Sequence, residues 1–383
     1  MTLFIDAKRA FLNQRGLGNY SRDAIRLLTT FAPDNQYYLL SPRLQGQAAD
    51  FPKEYPWVSS ALSKGQCALI TPTGLWTAFP SLWRSCGCTR TIQHLISPNA
   101  PQPVYWGLSG EVPFGIRNTG CKVVVTMHDA IFMRYPELYS WGYRHLFERK
   151  VRYACHVADV IIAISEQTKS DLIRFFDADE DKIKVVYQGC NNRFREPVSS
   201  ECLSRVRQQY DLPQHYILTV GAIEPRKNLR GLIEGMHSAG IKVPLVAVGG
   251  QSRYAVEMAE LAWERGVDLR YLHNMPFADL PAVYKMADVF CYPSIFEGFG
   301  IPVLESMCIG TPVVTSTGSC FAETGGEAPL YAQPTRFNEI GEQLKLVLTD
   351  STLRQDMVNK GYEQAEKFTD ERVANNLIKY VLL

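Results

Sequence analysis

The sequence predicts an α/β protein built on two parallel sheets. Short runs of β-branched and apolar residues alternate with amphipathic segments along the whole chain. These runs are continuously apolar, which is typical of strands in a parallel sheet that helices cover on both faces. An irregular stretch, from about residue 191 to residue 213, separates two sets of such units. We therefore expect two doubly wound, Rossmann-like domains that face each other across a cleft.

Ten apolar runs predict strands, five in each half of the chain. In the N-terminal half they span residues 2–5, 37–40, 122–127, 160–164 and 184–187. In the C-terminal half they span residues 216–220, 245–248, 269–272, 289–292 and 313–315. Segments of helical period lie between them, as crossovers between parallel strands require.

Two longer segments stand apart from this alternation. Residues 99–120 are rich in Pro and Gly and carry Tyr105, Trp106 and Phe114, which predicts a long functional loop. Residues 354–381 mix charged and apolar residues and predict a single amphipathic surface helix.

Composition and charge exclude several classes of protein. The 383 residues include 40 Lys and Arg against 39 Asp and Glu, and no apolar run approaches the roughly 18 residues of a membrane span. Residues 1–190 hold 21 basic and 16 acidic residues (+5), and residues 191–383 hold 19 and 23 (−4). This asymmetry is too weak for nucleic-acid binding, which usually needs a concentrated basic patch. Ten scattered cysteines indicate reduced thiols, so we expect a cytoplasmic protein.

The most informative window is residues 289–316, which read VFCYPSIFEGFGIPVLESMCIGTPVVTS. After a buried strand, Gly298 and Gly300 bracket Phe299 directly before a helix that Pro302 begins. The unpaired N–H groups of this helix start would lie at the carboxyl end of a parallel strand. A doubly wound sheet binds its ligands there.

Two carboxylates in this window, Glu297 and Glu305, stand eight residues apart, one before the helix and one about a turn inside it. They can accept hydrogen bonds from hydroxyls on separate parts of an extended ligand, such as a sugar and a ribose. A solvated pair beside an ordinary helix is the alternative. The glycines and the flanking strands favour a ligand site.

A basic pair, Arg226 and Lys227, lies in the segment GAIEPRKNL directly after the strand at 216–220. At a strand-to-helix turn, these cations can reach a pair of phosphates while the following helix adds its positive end. A solvated basic loop is the alternative. The position after a buried strand favours phosphate binding.

The N-terminal half offers a glycine turn at Gly16 and Gly18, after the first strand and before a helix that begins at about residue 19. Such a turn lets the backbone approach a phosphate closely. Ser21 stands where a dinucleotide fingerprint has its third glycine, so a flexible turn is an equal alternative.

Two further pairs of polar residues are candidates for chemistry. His128 and Asp129 follow the strand at 122–127, where His128 could donate to a ligand and Asp129 could orient it, although a structural histidine fits equally well. Asp177 and Asp179 form a DxD pair that metals can use, but they lie in an acidic run that reads as a solvated loop. We expect no metal site.

Together these windows resemble glycosyltransferase family 4, the retaining nucleotide-sugar glycosyltransferases of the GT-B fold. The motifs are GLGNY near the start, HD at 128, SEQT at 165, EPRKN at 224 and the run from Pro293 to Pro312. The resemblance covers nearly the whole chain and is weakest over residues 51–120. It implies an acceptor-side domain at 1–195, a nucleotide-sugar-binding domain at 196–365, and a C-terminal helix at 366–383 that packs back on the first domain.

The resemblance also implies catalytic roles. Arg226 and Lys227 match the basic pair on the donor diphosphate, Glu297 matches the carboxylate near the transferred sugar, and His128 matches a histidine beside that sugar.

The resemblance further implies which residues bind the donor. Glu305 matches the carboxylate on the nucleotide ribose, and Gly16 and Gly18 would close on the phosphates. The full donor-binding set is Gly16, Gly18, Arg226, Lys227, Glu297, Gly298, Phe299, Gly300, Ile301 and Glu305.

For the substrates, the resemblance implies a nucleotide-sugar donor, a glycan or polyprenyl-linked acceptor of surface polysaccharide synthesis, and no cofactor. The HD pair favours GDP-mannose, and fixed cations can replace a metal at the leaving diphosphate. The basic N-terminal half and its aromatic residues also predict peripheral contact with the inner face of a membrane. The alternative is that these aromatic residues belong to the core. The aromatic residues in question are Trp57, Trp76, Phe79, Trp83, Tyr105 and Trp106.

Three other functions are weighed against glycosyl transfer. A nucleotide-sugar epimerase of similar architecture would need acid and base residues for proton abstraction, which this window explains less well than transfer. A nicotinamide dehydrogenase would need a GxGxxG turn after a strand. A non-catalytic sugar-nucleotide-binding subunit would not need Glu297, Glu305, Arg226 and Lys227 together.

Overall fold

The computed structural model describes residues 1–13, 16–42, 64–99 and 101–383. They form two compact units, one of Met1–Gln188 with Asp370–Leu383 and one of Gly189–Thr369. Each unit contains one parallel sheet with helices on its faces. The predicted class, α/β with two doubly wound sheets, is therefore confirmed.

The sheet of the first unit has seven parallel strands in the order β3-β2-β1-β4-β5-β6-β7. The chain proceeds outward from β1 in one direction and then returns to β4, so the topological switch point lies between β1 and β4. The strands are β1 (Thr2–Asp6), β2 (Gln36–Leu40), β3 (Cys67–Ile70), β4 (Val104–Gly107), β5 (Lys122–Met127), β6 (Val160–Ala163) and β7 (Ile183–Val185).

Helices cover both faces of this sheet, and the C-terminal segment is one of them. Its helix packs on the helix Gly16–Phe31, where Arg26 Nη1 lies 2.8 Å from Asp370 Oδ2. The α-helices of the unit are Lys8–Leu12, Gly16–Phe31, Pro80–Leu82, Cys88–Leu95, Ile131–Arg134, Trp141–Val157, Glu166–Phe176 and Asp370–Leu377, with π-helical turns at Trp83–Gly87 and Ile378–Leu382.

The second unit repeats this plan with six parallel strands in the order β10-β9-β8-β11-β12-β13. Its switch point lies between β8 and β11. The strands are β8 (Ile217–Val220), β9 (Leu245–Val248), β10 (Leu269–Leu272), β11 (Val289–Tyr292), β12 (Val313–Ser316) and β13 (Leu330–Ala332). The α-helices are Ser200–Gln209, Leu229–Ser238, Arg253–Arg265, Leu280–Met286, Ile301–Ile309, Phe321–Gly325, Phe337–Thr349 and Ser351–Ala365.

All ten predicted strands are present, each within two residues of its predicted ends, but the sequence missed β3, β4 and β13. The error at β4 matters most, because this strand lies inside the predicted loop at 99–120. Its four residues are fully buried between β1 and β5. Prolines and glycines lie on both sides of this strand. Because they are frequent and the strand is short, the whole segment has the composition of a loop.

The single helix predicted at 354–381 is also wrong. The structure has a helix at Ser351–Ala365, a 3-10 turn at Glu366–Phe368, and a separate helix at Asp370–Leu377. Thr369 is extended, with φ −69° and ψ 154°. It precedes two acidic residues, Asp370 and Glu371, which favour a new helix start through their interaction with the helix dipole.

Two further observations concern the whole described chain. Within the described ranges, no helix has both the length and the apolar character that crossing a membrane requires. The ten cysteines are all free thiols, as their scatter predicts.

Two helices of the second unit pack closely against each other at a pair of glycines. The helices Leu229–Ser238 and Phe337–Thr349 meet at Gly235 and Gly341, where a Cβ added to Gly341 would lie 2.1 Å from the carbonyl oxygen of Gly235. No side chain fits this space, so the helices must separate if one is introduced.

We predict that Gly341→Ala lowers the free energy of unfolding by about 1–3 kcal/mol, the usual cost of overpacking a core. Calorimetric melting of the full chain measures this loss. Gly142→Ala is the matched control, because Gly142 lies in a helix and an added Cβ would meet no atom within 4 Å. It should hold or raise the melting temperature. Equal melting temperatures for Gly341→Ala and the parent chain would contradict the close approach.

Candidate active site

The switch point of the second unit brings the predicted basic pair and carboxylate together. β8 and β11 are neighbours, and the chain leaves their carboxyl ends in two loops. The first loop carries Arg226 and Lys227 and the second carries Glu297. The basic pair and Glu297 are about 70 residues apart in sequence, and the strand order alone brings them together.

One oxygen atom, Oε1 of Glu297, is the centre of this cluster. It accepts from Lys227 Nζ at 2.5 Å, from Ser294 Oγ at 2.6 Å and from the Tyr292 hydroxyl at 3.1 Å, and it lies 2.8 Å from Arg226 Nη1. Burial opposes ionisation of this carboxyl group, but Lys227 and Arg226 outweigh it and lower its pKa to about 2. Glu297 is therefore a carboxylate at neutral pH.

The cluster keeps hydrogen-bonding capacity for a ligand. Oε2 of Glu297 accepts no hydrogen bond from any described residue. Lys227 Nζ donates to Glu297 and to the Tyr292 hydroxyl, which leaves one N–H of the ammonium. Arg226 also pairs with the half-exposed Glu224 at 2.7 Å and donates to the Phe296 carbonyl, and its Nε–H makes no bond within the described chain.

Local backbone geometry holds the two loops together. Asn228 adopts the left-handed conformation (φ 58°) and caps the helix Leu229–Ser238 by accepting from Gly231 N at 3.2 Å. Its amide also donates to the Pro293 carbonyl at 3.1 Å, and Ile295 N donates to the Arg226 carbonyl at 2.9 Å. The first loop is thus bonded to the second at two points.

The glycine-rich segment after Glu297 leads into the helix Ile301–Ile309. Gly300 has φ 92°, a conformation that other residues rarely adopt, and the preceding residue, Phe299, is buried. The N–H groups of Gly298, Gly300 and Ile301 donate to no described residue. These groups lie at the helix N-terminus, where an anion is favoured.

Glu305 lies inside that helix and is 8% exposed. Its Oε2 accepts from the Tyr284 hydroxyl at 3.1 Å, and Oε1 accepts nothing from the described residues. Burial raises its pKa to about 8, although the Tyr284 hydrogen bond opposes the rise. At neutral pH the side chain is therefore mostly a neutral acid, which can donate one hydrogen bond to a hydroxyl as well as accept.

His128 lies at the carboxyl end of β5 in the first unit. Its Nε2 is 2.8 Å from the Leu108 carbonyl, and because a carbonyl only accepts, Nε2 carries the proton. Burial lowers the pKa of this ring to about 4, so it is neutral at pH 7. The sequence predicted His128 as a donor to ligand, but its N–H is already used. Nδ1 has no hydrogen-bond partner among the described residues, and because it carries no proton it can only accept a hydrogen bond from a ligand hydroxyl.

Gly16 and Gly18 lie in the first turn of the helix Gly16–Phe31, which begins three residues earlier than predicted. A Cβ at Gly18 would lie 1.6 Å from the Asn13 carbonyl oxygen, so this position requires glycine for packing. A Cβ at Gly16 would meet no atom within 4 Å. Packing within this unit therefore explains why position 18 is glycine, but it does not explain the glycine at position 16.

The acidic pair Asp177 and Asp179 has structural roles. Asp177 ends the helix Glu166–Phe176 in the left-handed conformation, and Asp179 accepts from Asp181 N at 3.0 Å to cap a 3-10 turn. Across the described ranges, no group of three or more His, Cys, Asp and Glu residues is placed to hold a metal ion.

The structure thus groups Arg226, Lys227 and Glu297 beside the segment from Gly298 to Ile301, and places Glu305 on the helix that follows. His128, Gly16 and Gly18 belong to the other unit. Sequence reasoning missed the hydroxyl partners Tyr292, Ser294 and Tyr284 and the loop cap Asn228. Only Asn228 gave a local signal, as an N-cap residue before an apolar helix.

One of the two doubly wound sheets holds two cations and an ionised carboxylate at its switch point, an arrangement whose charge and hydrogen-bonding groups suit an anionic, hydroxyl-rich ligand. This class of site fits the two-domain GT-B transferases that the sequence resembles.

Comparison with known proteins gives the family. The model of the group 1 glycosyl transferases matches residues 204–364, and that of glycosyltransferase family 4 matches residues 50–193. The chain is 32% identical to the O-antigen chain mannosyltransferase B of Escherichia coli over 274 residues, 68% of this chain and 71% of that protein. The chain therefore belongs to glycosyltransferase family 4 and is a glycosyltransferase.

Two more similarities extend this result. The O-antigen chain mannosyltransferase RfbU of Salmonella typhimurium is 29% identical over 218 residues, which cover 55% of this chain and 56% of that protein. A crystal structure of a glycosyltransferase from Rickettsia africae superposes with a TM-score of 0.73 at 17% identity, over 99% of this chain and 97% of that one. The second similarity confirms the fold. The family also favours transfer over the epimerase alternative.

We predict that Glu305 makes the protein less stable as pH rises from about 4.5 to about 8. The folded chain keeps the Glu305 proton in this range and the unfolded chain loses it, so the free energy of unfolding falls by up to about 1.4 kcal/mol per pH unit. The melting temperature of Glu305→Gln minus that of the parent should therefore increase over this range and level off above pH 8. The exposed Glu363→Gln controls for loss of a carboxyl group elsewhere. A difference that is constant with pH would contradict the buried, neutral Glu305.

Proposed function

We propose that this glycosyltransferase moves a mannosyl residue from GDP-mannose to a glycan or polyprenyl-linked acceptor in surface polysaccharide synthesis, with retention at the anomeric carbon and without a metal or other cofactor. The cluster of Arg226, Lys227 and Glu297 carries the argument for sugar-nucleotide transfer. The names of the two relatives, both O-antigen mannosyltransferases, support the choice of mannose.

The chemistry of the leaving group fits this cluster. When the glycosidic bond of the donor breaks, negative charge develops on the diphosphate, and preorganised cations and backbone N–H groups stabilise it. Arg226 Nε and the remaining Lys227 N–H are available donors, as are the N–H groups of Gly298 and Gly300. Fixed cations at this place can supply what a bound metal supplies in other transferases.

Glu297 has two functions in this proposal. Its Oε1 holds both cations in place, and its free Oε2 accepts from a hydroxyl of the transferred sugar. Glu305 contacts the nucleotide ribose, and His128 contacts the sugar through its unprotonated Nδ1. Losing a ribose contact should raise KM, whereas losing a contact made in the transition state lowers kcat.

The second part of the proposal is that the protein contacts a membrane. Most of the aromatic residues that the sequence analysis offered for this contact do not support it. Trp83, Tyr105 and Trp106 of the predicted aromatic set are buried core residues, and Trp57 lies outside the described residues. Phe79 is exposed and Trp76 half-buried. These aromatics therefore give little support.

A different surface of the first unit carries the argument instead. At the start of the helix Trp141–Val157, Trp141 is 70% and Leu146 57% exposed. The same helix exposes Arg149 and Arg152. Exposed apolar residues beside arginines match the interface of an anionic bilayer, so we infer peripheral binding there.

We predict that mannosyl transfer from GDP-mannose continues in excess EDTA, and that Lys227→Ala lowers kcat/KM about a hundredfold, the usual effect of losing one charged partner of a developing anion. Product analysis by mass spectrometry measures both. Lys242→Ala, an exposed lysine of the same unit, is the control and should keep parental activity. Activity that EDTA abolishes and Mn²⁺ restores would refute the metal-independent mechanism, and an epimerised nucleotide sugar formed without acceptor would refute transfer.

We predict that the protein co-sediments with phosphatidylglycerol vesicles at low salt, and that the double substitution Trp141→Ala with Leu146→Ala reduces the bound fraction severalfold. Trp263→Ala is the matched control, since Trp263 is 84% exposed in the second unit. Its binding should equal that of the parent. No sedimentation of the parent chain with these vesicles at low salt would rule out the membrane contact.

A further inference from the structure

A loop and a short helix follow β12, at the same edge of the sheet as the loop that carries Glu297. β12 lies beside β11 and runs parallel to it. Beyond β12 the chain forms a loop at residues 317–320 and then the helix Phe321–Gly325, which together we call the β12 segment. Thr317 N donates to the Ala332 carbonyl at 2.9 Å, so the loop first continues the pairing of β12 with β13. Because parallel strands end at one edge, the β12 segment and the Glu297 loop are neighbours.

The hydroxyl of Ser319, in the loop of the β12 segment, makes two hydrogen bonds to the backbone of a single residue. Ser319 Oγ accepts from Glu297 N at 3.1 Å and donates to the Glu297 carbonyl at 2.8 Å. The peptide group that contains this carbonyl continues to the nitrogen of Gly298. Ser319 therefore holds the peptide group between Glu297 and Gly298 in one orientation.

A second hydroxyl of the β12 segment holds another peptide group, two further along the chain. Thr324 Oγ1 donates to the Phe299 carbonyl, and its other acceptor, the Cys320 carbonyl, lies farther away at 3.4 Å. Thr324 is fully buried, so water does not compete for this hydroxyl. The peptide group that it holds continues to the nitrogen of Gly300.

These two hydrogen bonds fix the direction of two backbone N–H groups. A trans peptide group is planar, and its N–H points away from its carbonyl. Each bonded carbonyl therefore directs the N–H of the next residue away from the β12 segment. The two N–H groups are those of Gly298 and Gly300, and they donate to no described residue. Gly300 is buried, and a buried N–H without a partner is rare, which indicates that a ligand completes it.

The same hydrogen bonds strengthen the two N–H groups as donors. A hydrogen bond accepted by a carbonyl polarises its peptide group, and polarised hydrogen bonds in a chain reinforce one another. One such chain runs from the N–H of Glu297 through the Ser319 hydroxyl to the Glu297 carbonyl, and it ends at the N–H of Gly298. An anion bound at this N–H would be the last acceptor of the chain.

The backbone of Ser319 is in a conformation that favours glycine. Its φ is 51°, and that of the preceding Gly318 is 80°. Left-handed conformations are unfavourable for residues with a Cβ, so stability alone would favour glycine at position 319. Strain of this kind is concentrated at functional sites. The two hydrogen bonds of the hydroxyl are what serine supplies there and glycine cannot.

We propose that Ser319 and Thr324 are positioning residues for the transfer reaction, which aim the N–H groups of Gly298 and Gly300 at the leaving diphosphate and strengthen them as donors. The inference rests on the proposed function, because it takes the diphosphate of a sugar nucleotide as the group bound there. Neither hydroxyl contacts the substrate. Both act through carbonyl groups of the backbone that does.

The effect of the two hydroxyls belongs mainly to the transition state. The diphosphate gains negative charge as the glycosidic bond breaks, and N–H groups that are already oriented stabilise this charge without rearranging. Peptide groups without these hydrogen bonds can rotate, so part of that stabilisation is lost. Removing either hydroxyl should therefore lower kcat more than it changes the KM for the donor.

Two variants of Thr324 separate its hydroxyl from its packing. Thr324→Val keeps the shape of the side chain and loses the hydroxyl, and it should lower kcat for mannosyl transfer about tenfold. Thr324→Ser keeps the hydroxyl and loses a buried methyl group, so it should melt at a lower temperature but keep a kcat close to that of the parent. A role in packing alone predicts the reverse order of kcat.

Ser319→Gly is the corresponding variant in the loop. It removes the hydroxyl and relieves the left-handed strain, so kcat should fall about tenfold with little change in melting temperature. Asp211→Gly is its matched control, because Asp211 is an exposed residue with φ 47° before β8, at the opposite edge of the sheet. Thr119→Val is the control for Thr324→Val, since Thr119 is buried in the first unit and its hydroxyl donates to the Ile116 carbonyl at 2.6 Å. Both controls should keep the parental kcat.

Binding of a free diphosphate supplies a readout that does not need turnover. GDP and inorganic pyrophosphate carry the charge that the leaving group gains, so Ser319→Gly and Thr324→Val should weaken the binding of both severalfold in calorimetric titration. Guanosine, which has no phosphate, should bind the variants as it binds the parent. Equal loss of guanosine affinity would show a general distortion of the site and would contradict the positioning role. Parental kcat and parental pyrophosphate affinity in both variants would overturn it, as would an equal loss of kcat in Thr324→Val and Thr324→Ser.

Failure of this inference and failure of the proposed function give different results. If GDP-mannose neither binds nor reacts but pyrophosphate binding depends on the two hydroxyls, the proposed donor is wrong and the positioning role stands. If mannosyl transfer proceeds at the parental rate in Ser319→Gly and Thr324→Val, the function stands and the positioning role is wrong. A parent chain that binds neither GDP nor pyrophosphate would overturn both.

Discussion

The arrangement of the two loops that follow β8 and β11 depends on one carboxylate oxygen, Oε1 of Glu297. Two of its partners, Arg226 and Lys227, come from the loop after β8, and Tyr292 and Ser294 come from the end of β11 and the turn beyond it. An ionised Glu297 therefore joins the two loops that diverge at the switch point. Burial alone would favour the neutral acid, but the two cations reverse this preference and hold the pKa at about 2. Removing one member leaves a buried charge unpaired, which costs more than the pair gains by forming.

The parallel topology explains why comparable clusters occur in both units. In each sheet the two central strands end side by side while the chain beyond them turns to opposite faces, which leaves a crevice at the carboxyl edge. The first unit fills its crevice with Arg84 between Asp6 and Glu111, and Lys150 also donates to Glu111. The second places Arg226 and Lys227 against Glu297. The difference lies in the balance of charge. The first network pairs two cations with two carboxylates, whereas the second directs both cations at a single oxygen and leaves donors for an anion.

Burial also sets the protonation state of groups that the sequence shows only as residue types. Glu297 and Glu305 are eight residues apart, yet the cations near the first lower its pKa to about 2. Burial raises the pKa of the second, which accepts a hydrogen bond from the Tyr284 hydroxyl, to about 8. His128 is neutral because burial lowers its pKa to about 4. At pH 7 one carboxyl group is thus an anion that orders cations and the other is largely a hydrogen-bond donor and acceptor. Two chemically identical side chains receive different functions from their surroundings.

The sequence by itself determined the fold class, every strand except β3, β4 and β13, and the window from Gly298 to Pro302, because apolar periodicity, glycine turns and helix starts are encoded over a few neighbouring residues. It also identified Arg226, Lys227, Glu297 and Glu305 as a group, from their positions after buried strands. Only the tertiary structure decided the rest. Strand β4 is defined by its burial between β1 and β5, and the proton on His128 by the Leu108 carbonyl, 20 residues away. The network of Asp6, Arg84 and Glu111 joins residues 78 and 27 positions apart. Pairing and burial depend on which loops the strand order brings to one edge, and no local pattern records that order.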